Sequence, residues 1–149
     1  MSEAGFGFWH WLGLATGTRD DSGPVDFAGL TRRTSPNDCL IAPADFECRA
    51  DSDAGPSIFR LPAQALAEKL RAIALAEPRT QQISCAIADR LRFVQRSRLL
   101  NYPDGIDVQI LSRGEDASTL ALYSRSLVGR SDLGVNRQRL DRWLKSLAA

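Results

Sequence analysis

The chain predicts an α+β fold: an antiparallel sheet of about five strands with two helices packed on one face, in the order β-α-β-β-β-β-α, preceded by an irregular N-terminal segment. Three observations carry this. Between Ile83 and Leu127, apolar and polar residues alternate in successive runs, the period of a half-buried strand. Short clusters of turn-forming residues separate the runs, which makes neighbours antiparallel. Two stretches with helical spacing bracket them, and amphipathic helices must bury their stripes, for which one sheet face is the natural place.

Residues 1–24 read as an aromatic segment and linker, and 25–149 as a single domain with its compact core at 57–149. Phe6, Phe8, Trp9, Trp11 and Leu12 crowd the first part. A run of ten residues is too short to cross a bilayer, which takes about 20. It suits either packing and self-association or an interfacial membrane contact, where Trp and Phe sit well. Residues 16–24, TGTRDDSGP, are a polar linker. Ser35 to Asp38 is turn chemistry. Cys39 to Ala42 is an apolar run, suited to a buried strand or a docked extended segment. Asp45 to Pro56 is loop-like. Its acids Glu47, Asp51 and Asp53 lack the fixed spacing of a calcium loop.

Ile58 to Leu61 is expected to be the first strand. Pro62 then opens a helix, since its missing N–H costs nothing there. Leu66, Leu70 and Ile73 line one face, and the helix must stop before Pro78. Ile83, Cys85 and Ile87 alternate as the second strand, and Leu91 to Leu99 make the third. Tyr102-Pro103-Asp104-Gly105 is a turn signal. Ile106, Val108 and Ile110 form the fourth strand and Thr119 to Leu127 the fifth. Leu140, Trp143, Leu144 and Leu147 then carry a helix to the C-terminus. This order resembles the TATA-binding-protein-like and helix-grip folds, a likeness that implies space for a ligand between sheet and helix.

Composition narrows the function. With 44% hydrophobic and 25% charged residues the chain is an ordinary globule rather than a disordered tail. Net charge is +1, which with no aromatic RNA-binding pair disfavours nucleic acid. The charge is uneven. Residues 1–55 hold four arginines (19, 32, 33, 49) and nine acids (3, 20, 21, 26, 38, 45, 47, 51, 53), so −5 there meets +6 in the remainder. Arg90, Arg92, Arg96 and Arg98 share one parity of the third strand. They form either the solvated face of a one-sided sheet or a surface for phosphate or carboxylate. The three cysteines have no CxxC pair, so free thiols are expected and no metal or cofactor is implied. His10, the single histidine, lies in the lead segment, which leaves a histidine-dependent triad without support. With no basic leader and no apolar run of membrane-spanning length, a cytoplasmic chain is expected, membrane-peripheral if residues 6–14 touch lipid.

The most unusual polar stretch is Leu122 to Arg139. It passes from strand through a Gly- and Ser-rich turn into the last helix. Ser131, Asp132 or Asn136 can cap that helix. Arg137 and Arg139 near a helix N-terminus, with its free N–H groups, make a candidate anion site. The joint is thus either a cap or a ligand site. The candidate ligand-binding set is Arg98, Arg125, Ser131, Asp132, Asn136, Arg137 and Arg139.

Three segments carry a family resemblance: PNDCLIAP (36–43), VQRSRLL (94–100) and, most distinctive, SRSLVGRSDLGVNRQRL (124–140). They resemble the domain-of-unknown-function family 1499 (DUF1499) of bacteria and plants, over about Phe27 to Leu147. The resemblance implies relatives, many with N-terminal membrane helices or lipoprotein leaders, but lends no mechanism. Three functions stay open. The first is a non-catalytic module for a small anionic or amphipathic ligand. The second is a membrane-peripheral or protein-interaction protein using the aromatic N-terminus. The third is a hydrolase or transferase with Asp104, Asp107 or Asp132 as acid/base residues.

Overall fold

The computed structural model describes residues 23–32, 34, 37–128 and 132–149. The aromatic residues Phe6 to Leu12, with His10, lie outside them, as does Ser131. Five strands form one antiparallel sheet: β1 (Asp38–Ile41), β2 (Thr80–Ile83), β3 (Arg90–Arg96), β4 (Pro103–Ser112) and β5 (Ser118–Ser126), in spatial order β1-β5-β4-β3-β2. Helix α1 (Ala63–Ala76) separates β1 from β2, and α2 (Val135–Ala148) closes the chain. The element order is the expected one.

Both helices cover one face. From α1, Leu66, Leu70 and Ala74 meet Phe93, Ile106, Val108, Leu120 and Leu122 of the sheet, joined by Leu140, Trp143 and Leu147 of α2. Phe93 and Trp143 pack edge to face at 5.7 Å, a favoured aromatic geometry. Helix α1 ends at Glu77, extended ahead of Pro78 as the sequence requires. Lys69 of α1 donates to the carbonyls of Leu147 and Ala149, which neutralises the negative end of α2.

Three boundaries differ from expectation. Ile58 to Leu61 is not a strand: only Phe59 bridges to Ser118. The edge strand comes instead from the apolar run at Cys39, which pairs with the last strand along Asp38 to Ile41. The second strand lies earlier, at Thr80–Ile83. Tyr102 to Gly105 is not the turn either. The reversal occurs at Ser97 to Asn101, where Ser97 Oγ accepts the Tyr102 N–H at 2.9 Å and Asn101 takes a positive φ of 55°. Pro103 then opens β4, the first strand position being one that a residue without an N–H tolerates.

The other sheet face is not solvated. Val25, Phe27 and Leu30 fold across it onto Leu40 and Tyr123, flanked by Phe46, Cys48 and Ala50. Asp107 latches this strap by accepting the Val25 N–H at 3.1 Å. Arg90 donates to the Val25 carbonyl at 2.8 Å and stacks 4.7 Å over Phe27. Arg92 and Arg90 reach Asp107 at 3.3 and 3.7 Å. Burial pushes the Asp107 carboxyl above its ordinary value, against the pull of the Val25 N–H and of Arg92, Arg125 and Arg90. The arginine row is therefore divided: Arg90 and Arg92 lie beneath the strap, and Arg96 ends the strand. A second clasp has Arg32 gripping Asp38 and Asp53 at 2.8 and 2.9 Å, while the Tyr123 hydroxyl donates to Asp38 at 2.7 Å.

Candidate functional site

Three central strands change character at one end. On the helix-facing side β3 runs Leu91, Phe93, Gln95. There β4 runs Ile110, Val108, Ile106, Asp104, and β5 runs Leu120, Leu122, Ser124, Ser126. The register sets Asp104 beside both Gln95 and Ser126. Polar groups buried under a helix need partners, and α2 brings them. Asn136 and Arg139 are three apart and so share a face; both are buried, Arg139 to 3% exposure. Arg139 donates to Asp104 Oδ2 at 2.7 Å, to Asn136 Oδ1 at 2.8 Å, to Ser124 Oγ at 2.9 Å and to Gln95 Oε1. Asn136 reaches Asp132, Ser126 and the Asn37 carbonyl through its amide nitrogen. Gln95 donates onward to Glu77 at 2.8 Å, and Arg142 grips the same carboxylate at 3.1 Å. Burial acts to raise the Glu77 carboxyl, but the bonds from Arg142 and Gln95 outweigh it and hold it below its ordinary value. A continuous polar seam thus runs from the end of α1 to the start of α2.

The turn before α2 is built by Asp132. Its carboxylate accepts the Gly134 N–H at 2.8 Å and the Asn136 N–H at 3.1 Å, meeting two of the donors a helix start leaves over. Leu133 and Gly134 both take positive φ, 54° and 82°. For glycine that is unstrained. For Leu133 the cost is tolerated at a turn whose side chain stays 90% exposed.

Outside the seam lie two adjoining clefts of about 470 Å³ each. They share Ser97, Arg98, Asp104 and Val135, and so form one groove. Its two halves differ. One is framed by Glu77, Arg79, Arg96 and Arg142. The other is framed by Leu99, Leu100, Tyr102, Val128 and Leu133. Arg98 is exposed where they meet, and among the described residues it makes no ion pair.

A family model described as Protein of unknown function (DUF1499) matches residues 31–147. The chain belongs to this family. No curated protein and no solved structure matches it. The DUF1499 match spans all five strands and both loops that wall the groove.

The structure distributes the candidate residues of this DUF1499 chain unevenly. Arg98 and Asp132 line the groove. Arg139 forms part of its buried floor, and Asn136 lies behind it in the seam, accepting its hydrogen bond. Arg137 points elsewhere: it pairs with Asp141 one turn on, at 3.1 Å on the exposed face of α2. Arg125 lies across the sheet, over Tyr123 at 5.6 Å, because β5 alternates and Ser124 takes the helix side. The sequence reading missed Gln95 and Ser124 as Arg139's partners, and missed Glu77. The available signal was parity: each strand's apolar face turns polar at the same end.

Other chemistries find little. The Cys39 thiol is buried and pushed up to about 12 by burial and by Asp53, so it is no thiolate at neutral pH. Among the described residues no three metal-ligating side chains gather, and no helix is long and apolar enough to cross a membrane.

Proposed function

We propose that this chain is a non-catalytic module whose groove binds a small anionic amphiphile, an acidic head group bearing a short apolar tail. The observation that supports this best is the groove's division at Arg98, with guanidinium groups on one side and exposed aliphatic side chains on the other. Arginine suits carboxylate or phosphate because its fork can bind two oxygens at once. The apolar half offers Leu99, Leu100 and Val135 to a tail, and pockets of a few hundred Å³ are typical of small-ligand sites. The carboxylates nearby are engaged in structure: Asp104 with Arg139, Glu77 with Arg142 and Asp132 with the helix start. That leaves no free acid–base pair at the floor, which favours binding over turnover.

Decyl phosphate, kept below its micellar concentration, is the probe. At about 100 times its dissociation constant a ligand of the native state contributes about 2.7 kcal/mol. For a domain of this size that is roughly a 5–10 °C rise in Tm. The rise is expected to shrink in Arg98→Ala and vanish in Val135→Trp, which fills the groove. No rise in the unaltered chain, or a rise indifferent to both substitutions, would overturn the reading.

A further inference from the structure

Two turn tips stand on either side of the groove mouth, and both are apolar. Leu99 is 90% exposed and Leu100 65%, in the turn after β3; Leu133 is 90% exposed in the turn before α2. All three line the same cleft, so they stand at one end of the molecule. Single exposed leucines are ordinary, but leucines gathered around one cleft make an apolar patch of the kind that marks a protein or membrane contact. Arg98 sits directly beside Leu99, and Arg79, Arg96 and Arg142 line the adjoining half of the groove.

From this we infer that this end of the protein docks on an anionic bilayer surface, with Leu99, Leu100 and Leu133 entering the interfacial region and Arg98 at the head-group level. Separate protruding tips suit a lipid interface, where each side chain is solvated by acyl chains individually. A stable protein interface needs a broad, closely fitting area instead. The basic charge is complementary to anionic head groups, and arginine can keep its charge among them while its stem lies along the apolar layer. The inference goes beyond the groove reading but shares Arg98, Leu99 and Leu100 with it; what it adds is the exposure of the tips, Leu133 included. If both hold, the groove mouth faces the layer that would supply its ligand.

The test is co-sedimentation of the full chain with vesicles of equal parts phosphatidylcholine and phosphatidylglycerol, and with phosphatidylcholine alone. The expected result is binding to the mixed vesicles only, weakened by salt. The doubly substituted Leu99→Ser, Leu133→Ser chain should partition about tenfold less or lower, since each leucine gives up much of the transfer energy of a buried aliphatic side chain. Leu99 and Leu133 are each 90% exposed, so shortening their side chains opens no cavity and the substituted chain should melt as the parent does. Failure of the parent chain to bind mixed vesicles overturns the inference and leaves the tips as a protein-contact face. Equal binding by parent and doubly substituted chain also overturns it, since lipid contact would then run through another part of the chain. Val135→Trp separates the two readings: it should lose the decyl phosphate shift yet stay on the vesicles. Vesicle binding through the leucines without any decyl phosphate shift in the parent would sink the groove reading and support this one.

Discussion

Replacing Arg139 by methionine keeps an unbranched chain of similar reach and removes every hydrogen bond the guanidinium makes. The carboxylate of Asp104, whose side chain is 13% exposed, then loses its counter-charge. Stranding a buried charge in this way costs about 3–5 kcal/mol. The neutral acceptors add less, because the Ser124 hydroxyl still donates to Asn136. Against a total stability of roughly 5–15 kcal/mol for a domain, the loss is large, and Tm should fall by roughly 10 °C or more. Urea titration is the assay, with the midpoint shifting at constant slope. The decisive companion is Arg139→Met with Asp104→Leu. With both charges gone nothing is stranded, and an apolar pair can match a buried ion pair. The double substitution should therefore recover about 2 kcal/mol or more relative to the sum of the single changes. A loss below about 1 kcal/mol for Arg139→Met, or strict additivity in the cycle, would refute the claim that this pair anchors α2.

Two further outcomes follow from the same geometry. Asp132→Ala should cost about 1–2 kcal/mol in urea titration, the usual penalty for losing a side-chain acceptor at a helix start. Asp132→Asn should recover only part of it, because both carboxylate oxygens accept N–H groups and an amide keeps one acceptor. Glu77 governs part of the acid limb. Its folded-state pKa lies below the ordinary 4.5, so its contribution is fully present above that value and disappears as pH falls through the lower folded one. Midpoints measured against pH should accordingly fall less steeply below 4.5 in Glu77→Gln than in the parent chain; parallel curves would contradict the sign.

The element order was legible because both periodicities are strong: the alternation at Ile106, Val108 and Ile110 reflects a face truly buried beneath helices, and Leu140, Trp143 and Leu147 form a real stripe. Failures came where tertiary contacts decided. Cys39 to Ala42 suits a buried strand or a docked extended segment by sequence alone, and the edge that β5 offers decides for the strand. The proline and glycine of 102–105 signalled a turn, yet the reversal was completed one step earlier by Ser97 and Asn101. The arginines of β3 were expected on an open or anion-facing surface. The strap from Val25 to Leu30 covers Arg90 and Arg92, a long-range contact that local pattern does not encode. At the candidate site, a carboxylate serving the start of α2 was readable from residue type and position, although the N-cap position itself is Gly134 and Asp132 accepts the Gly134 and Asn136 N–H groups from two residues before it. The role of Arg139 was not, because a cation near a helix N-terminus is unfavourable locally and is settled by an aspartate 35 residues away in sequence.

The seam has a consequence for how sequences of this kind can diverge. Gln95, Asp104, Ser124, Asn136 and Arg139 satisfy one another across three strands and a helix, so a change at one leaves its neighbours at fault. These five should drift together or not at all. Leu99, Leu100 and Leu133 stand outside that mutual constraint, on tips whose length and chemistry can be rewritten one residue at a time. A common floor with variable walls is an arrangement in which relatives can keep one architecture while exchanging what they hold.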